Sequence, residues 1–433
     1  MENKRGFYKN FFYYVIPAVL SFALSGVYSI VDGFFVGNAV GDIGLSAINV
    51  AVPIVMVMQC LGTGIGMGGS VWYSINNASQ KADEAKKYLA CTLWLLIISS
   101  LVLTTVCLLF TEELISLLGA EGRILEYGIP YIKVMAFGAI FQVFATGVVP
   151  IIRNNGGSAF ATITMVSGFA TNILLDWVFV WVIPWETFGA ALASVIAQAL
   201  TMFLGLGYII AKKLFILKFP KNETAKLCKN IAKIGISPFG IAMLPHIFLI
   251  FVNWFSIEYG GERAVAVYAC IAYIIYMAYV MVQGVGDGSQ PIMSTYYGEG
   301  DKNLLKKTRD SAYVTSLAVG AFCMVIFYIG RFSFGNFFGA SPEVVFDMGK
   351  VFPIFLAAVP FVAISRVTVS YFYATEKSSF AYILTYAEPI FLFLLLLIIP
   401  RFFGQMGVWW SIAGAQTLTA ALSAIFVITK KTA

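Results

Sequence analysis

The chain has 433 residues, 60% of them hydrophobic and 12% charged, with a net charge of +6 and a mean hydropathy of +0.85. That balance excludes a water-soluble globule and leaves an all-α polytopic membrane protein. A span needs about 20 apolar residues to cross a hydrocarbon core of about 30 Å, and the sequence offers twelve such runs.

In chain order they fall near 11–36, 45–73, 88–110, 127–151, 159–183 and 188–211, then 234–257, 264–290, 311–332, 349–373, 380–400 and 408–429. The first run has a polar start but lacks the small-residue cleavage site of a signal peptide, so it is expected to stay in the mature protein. Lysine and arginine are divided unevenly between the two sides. Lys4, Arg5 and Lys9, then Lys81, Lys86 and Lys87, Arg153, the stretch from Lys212 to Lys233, Lys302 to Arg309, Lys377, and Lys430 and Lys431 share one side. The other side holds only Arg123, Arg263, Arg331, Lys350 and Arg401. This asymmetry predicts a multi-pass plasma-membrane protein with both termini cytoplasmic. The positive charge is then a feature of topology, and no nucleic-acid partner is expected.

Enzyme chemistry has little material here. His246 is the single histidine, which excludes a His-based metal centre and argues against a catalytic triad, and the six cysteines are scattered without a CxxC. The run GTGIGMGG, Gly62 to Gly69, has a GxGxxG spacing but lies inside an apolar span with no preceding strand or following Lys, so it reads as close helix packing rather than nucleotide binding.

An internal repeat organises the chain. Pro17 and Pro238 each stand early in a span, and Asp32 and Asn253 each follow by the same interval. Gly62, Gly64 and Gly66 align with Gly284, Gly286 and Gly288, Lys86 and Lys87 with Lys306 and Lys307, Pro184 with Pro400, Gly189 with Gly407, and Gln198 with Gln416. Two six-helix bundles in the same orientation are therefore expected, at 1–210 and 234–433, joined by a basic cytoplasmic linker at 211–233. Parallel repeats of this kind are common in secondary transporters.

Buried charge locates the candidate sites. Asp32 lies inside the first span, and an intramembrane acid is a functional hypothesis by default. In TNILLD, Asn172 and Asp176 stand four apart, on one helical face, at an outer depth that matches that of Asp32. Two carboxylates and an amide oxygen in a low-dielectric site can bind Na+ or share a proton; the plainer alternative is that they hydrogen-bond to helix neighbours and hold the bundle.

Pro17, YSIVDGFFVG, LSAINVAVPI, TNILLD, FGAALAS from Phe188 to Ser194, and GSQPIMSTYYG from Gly288 to Gly298 resemble the MATE family, the multidrug and toxic compound extrusion transporters. The resemblance covers essentially the whole chain. It implies two six-helix bundles around a V-shaped cavity and export of organic, often cationic, compounds in exchange for Na+ or H+, with no cofactor beyond the coupling ion. It also implies a cation site of Asp32, Asn172 and Asp176, with Ser194 added, and a bending point in helix 1 at Pro17. Small organic substrates and membrane lipids are the expected partners, and a monomer the expected state. A flippase for a lipid-linked precursor is the alternative within transport; an intramembrane enzyme such as a prenyltransferase is a more distant one, because TNILLD supplies only one acid where Mg²⁺ chemistry needs Asp-rich motifs.

Charges in the second half depart from the family pattern. Arg366 and Glu388 lie eleven positions before and after Lys377, the expected turn of a helical hairpin, so they are predicted at one depth and paired across it, with a substrate role for Glu388 as the alternative. Aligning Pro184 with Pro400 sets Glu388 opposite Asn172. His246 reads as a satisfied core histidine or a proton relay in the same possible second site. Asp287 reads either as a hydrated residue near the cytoplasmic mouth or as a member of that second site, and Lys133 as a snorkelling side chain.

Overall fold

The computed structural model describes residues 4–214, 223–338 and 340–429, and the side chains of all of these but 4, 5, 32–42, 45 and 337. Every regular element among them is helical. Hydrocarbon offers no partner for a bare N–H or C=O, and a helix satisfies its own.

Helix α1 (Lys4–Ala78) carries two apolar stretches of spanning length, Gly6–Val31 and Ser46–Ala78. It is followed by α2 (Ala82–Leu109), the short α3 (Thr111–Leu117), and α4 (Gly122–Phe137) and α5 (Ala139–Asn154), which meet at a bend of 54° and together make one broken span. Helix α6 (Ser158–Asp176) runs on through a π-helical turn, Trp177–Val182, before α7 (Glu186–Ala211). The 76-residue α8 (Thr224–Glu299) is broken at Gly261, whose φ of 64° and ψ of −166° suit glycine. Its parts, 224–260 and 262–299, are each long enough to cross. The chain ends with α9 (Lys302–Gly330), the single turn α10 (Phe334–Phe337), α11 (Pro342–Ala374), α12 (Ser378–Ile398) and α13 (Pro400–Thr429). Ten stretches among the described residues are long and apolar enough to cross, the bent α4–α5 pair makes eleven, and the division of α8 makes the twelve expected.

Several helices overrun their apolar cores. Helix α9 begins at Lys302 rather than 311 because Asp301 caps it, its side chain accepting from the amides of Asn303 and Leu304. Helix α11 begins at Pro342 rather than 349, with Ser341 as cap and proline in the first turn. Hydropathy marks the hydrocarbon segment, whereas capping marks the helix.

Alongside an apolar core, several large apolar side chains face outward while some charged ones are buried. Phe402 and Ile329 are 78% and 75% exposed, whereas Arg366 and Glu388 are 5% and 2% exposed. Apolar side chains outside and charges inside are the arrangement a bilayer selects.

The helices form two compact units, Val27–Ala242, and Met1–Gly26 together with Met243–Ala433. This differs from the expected division at 210 and 234: the opening part of α1 belongs to the later unit and the opening part of α8 to the earlier one. Glycine faces explain the exchange. In the first unit a Cβ on Gly64 or Gly68 would strike the backbone of Gly235 or Ile231 in α8, and one on Gly62 or Gly66 would strike Val143 or Gly147 in α5. In the other unit Gly284 and Gly288 meet Val15 to Val19 of α1, while Gly286 meets Ser370 and the Arg366 carbonyl in α11. The run GTGIGMGG is thus a packing surface on two sides.

These faces also correct the repeat register. Gly64, Gly66 and Gly68, not Gly62, Gly64 and Gly66, correspond to Gly284, Gly286 and Gly288. Glycine recurs at every second residue in both halves, so a shift of two still matches three glycines, although it turns the helix by about 200°. Only the packing distinguishes the two.

Candidate cation and charge-pair sites

In the unit Val27–Ala242, α6 presents Asn172 and Asp176 one turn apart on the same face, 2% and 1% exposed. The Asn172 amide donates to Ser194 Oγ of α7 over 3.4 Å. Asp176 is the last residue of α6, and the π-helical turn starts at the next position. A π turn re-aims the side chains around it and recurs at functional sites. Trp177 and Trp181 in that turn are 48% and 47% exposed, in keeping with an aromatic belt at the edge of the membrane. Asn172, Asp176 and Ser194 supply amide, carboxyl and hydroxyl oxygen, the hard ligands that suit Na+ or a proton. The fourth residue expected here, Asp32, has its side chain outside the described residues.

The other unit holds the second cluster. The Arg366 guanidinium of α11 grips Glu388 of α12 with both ends of its fork, Nη1 to Oε2 at 2.8 Å and Nη2 to Oε1 at 3.1 Å. Gln416 of α13, fully buried, adds a third donor, Nε2 to Glu388 Oε1 at 2.8 Å. The Tyr279 hydroxyl of α8 lies within electrostatic reach of both charges, and neither it nor the Gln416 carbonyl has a hydrogen bond of its own. An aromatic group of Tyr268, Phe355 and Trp409 occupies the same unit, with centroids 5.5 to 6.1 Å apart. Gln416 and Tyr279 are absent from the sequence-based site. The signal for Gln416 is its match to Gln198, an amide recurring in an apolar span.

Other expectations fare differently. His246 sits half-buried in α8, and among the described residues no hydrogen bond or ion pair joins it to Arg366 or Glu388. Asp287 is not a hydrated mouth residue: it is 8% exposed, and its Oδ1 accepts from Gln283 Nε2 at 2.6 Å and from the Tyr373 hydroxyl at 3.0 Å. Lys133 is exposed on α4. Pro17 lies in the part of α1 on which Gly284 and Gly288 pack.

The alignment of Glu388 with Asn172 also changes by one turn. Helix α6 and α12 start at Ser158 and Ser378, which sets Glu388 opposite Gly168. The span Ser158–Val182 has 25 residues and α12 has 21, so counting back from the far end gives Asn172 instead. A four-residue difference is close to one turn, so Glu388 keeps the helical face of Asn172 either way.

The fold and these sites define a multi-pass helical membrane protein built from two repeats, with a cluster of amide, carboxyl and hydroxyl groups in one and a buried ion pair in the other. The MatE family model matches residues 17–178 and again 239–399, one match in each repeat, and the chain belongs to the MatE family, a family of transporters and not of enzymes. It is 24% identical to the multidrug export protein MepA of Staphylococcus haemolyticus strain JCSC1435 over 426 residues, 97% of this chain and 93% of that protein. Its identity to MepA of Staphylococcus saprophyticus subsp. saprophyticus is 23%, covering 98% and 94%. Among solved structures it is similar in fold to an outward-facing multidrug resistance MATE family transporter of the MOP superfamily, with a TM-score of 0.92 at 21% identity over 98% of this chain and 95% of that one. A MATE in complex with MaL6 gives a TM-score of 0.89 at 20% identity, covering 98% and 96%.

Proposed function

We propose that the protein is a cation-coupled antiporter that exports organic compounds, cationic or amphiphilic, in exchange for Na+ or H+. The observation that carries this reading is the buried Asn172–Asp176 face, with Ser194 beside it, at the α-to-π junction of a spanning segment. An acid there costs about 2.5–3.5 kcal/mol on insertion scales unless it is paired, hydrated or protonated, so a site of oxygen ligands suits a cation that comes and goes. The family resemblance adds Asp32 to the proposed site. Binding of the ion drives export only if the ion binds one state more tightly than the other, since equal affinity shifts nothing. Pro17 leaves a gap in the hydrogen bonding of α1 and makes a bend there cheap, so it acts as the hinge.

Lysine and arginine asymmetry supports a plasma-membrane protein with cytoplasmic termini. The names of the MepA relatives support organic drugs as substrates. The sequence repeats at 1–210 and 234–433, with the basic segment 211–233 between them, exchange the opening parts of α1 and α8, so the compact units Val27–Ala242 and Met1–Gly26 with Met243–Ala433 are the units of alternating access, and the monomer is the working form. The test is reconstitution in proteoliposomes with a fluorescent organic cation under separately imposed Na+ and H+ gradients. Export driven by one gradient names the ion. Asp32→Asn should abolish gradient-driven export with expression intact, and full transport by that variant would remove the acid from the mechanism.

A further inference from the structure

Glu388 receives three donors on its two oxygens, from both ends of the Arg366 fork and from Gln416. It also occupies the helical face that carries Asn172 in the other repeat, and Gln416, which holds it, matches Gln198 on α7. Thus the second repeat retains an oxygen cradle on the face that holds the oxygen ligands of the first, but a guanidinium fills it. The Gln416 carbonyl of that cradle is buried and has no hydrogen bond.

We propose that Glu388 and Gln416 form a cation-binding site whose resident cation is the side chain of Arg366, and that the site takes a free guanidinium or amidinium ion when that side chain is removed. The inference deepens the antiporter reading, on which only its consequence for coupling rests: with a tethered cation in the second repeat, that repeat needs no ion from solution, and the coupling ion is taken by the first alone. A planar cation is required because the two Glu388 oxygens are met by two parallel N–H donors, a geometry that a spherical ion or a quaternary ammonium does not reproduce.

The experiment is chemical rescue of thermal stability, with the full chain purified in detergent. Arg366→Ala leaves Glu388 buried without its partner and should lower the unfolding midpoint by roughly 5 °C or more. Millimolar methylguanidinium should restore a large part of that loss, whereas tetramethylammonium or Na+ at equal ionic strength should not. The double variant Arg366→Ala/Glu388→Gln should ignore all three. If Arg366→Ala cannot be purified, Arg366→Lys serves: it keeps the charge and loses the fork, so its midpoint should fall and rise again with methylguanidinium. A response that Na+ matches, or one that persists in the double variant, overturns the proposal. The readout is thermal and needs no transport, so rescue supports the site even in a protein that shows no gradient-driven export, the result that would sink the antiporter reading instead.

Discussion

The two repeats have solved the same problem, buried polarity in a membrane helix, in opposite ways. In Val27–Ala242 the cluster consists of Asn172, Asp176 and Ser194, and α6 and α7 contain no Lys or Arg from Ser158 to Ala211. In the other unit an acid on the matching face is locked by Arg366 and Gln416. A bound guanidinium is a permanent charge balance, and its loss strands a buried partner. A set of oxygen ligands can exchange its cation with solution. On the proposed function, the difference places ion exchange in one repeat and a fixed charge balance in the other.

The variants that break this comparison rank by expected effect. Asp176→Asn removes the exchangeable charge, so gradient-driven export should fall at least tenfold, the loss that about 1.4 kcal/mol of differential ion binding already implies. Its thermal midpoint should change little, because neutralising a buried acid also removes a desolvation cost. The charge pair should behave in reverse. Arg366→Met or Glu388→Gln alone should cost about 3–5 kcal/mol of stability, while the double variant recovers much of it. Additive losses in that cycle would show that the side chains do not interact.

Smaller effects sharpen the picture. Gly66→Ala places a methyl against the Gly147 backbone and should cost about 1–3 kcal/mol. Gly207→Ala on exposed α7, where a Cβ meets nothing within 4 Å, should be neutral or stabilising, and the pair together checks the packing of α1 by thermal melts. The smallest change is Ser194→Ala. The bond from Asn172 is long at 3.4 Å, so ion affinity, read by titration of the coupling ion against transport rate, should weaken by about two- to fivefold.

Much of this was legible in the sequence, for reasons that particular residues make clear. The spans follow from hydropathy because the bilayer demands self-satisfied helices. Arg366 and Glu388 meet because a hairpin turning at Lys377 preserves depth on both sides, and equal offsets in helices of constant rise give equal depth. Asn172 and Ser194 touch across the antiparallel pair α6 and α7. Three features were hidden. The π turn after Asp176 has no composition of its own, since WVFVWV would serve an α-helix equally well. The exchanged opening parts of α1 and α8 depend on which side of a two-sided glycine surface each neighbour takes. The Tyr279 hydroxyl comes within electrostatic reach of the charge pair from an element far from it in the chain.

The account turns on Asp176 as an exchangeable cation ligand, and the most direct measurement is gradient-driven export by wild type and Asp176→Asn side by side in proteoliposomes, with Na+ and H+ gradients imposed separately. The account predicts that wild type responds to one gradient and Asp176→Asn to neither, with both proteins equally well folded in the membrane. Undiminished gradient-driven export by Asp176→Asn would contradict it.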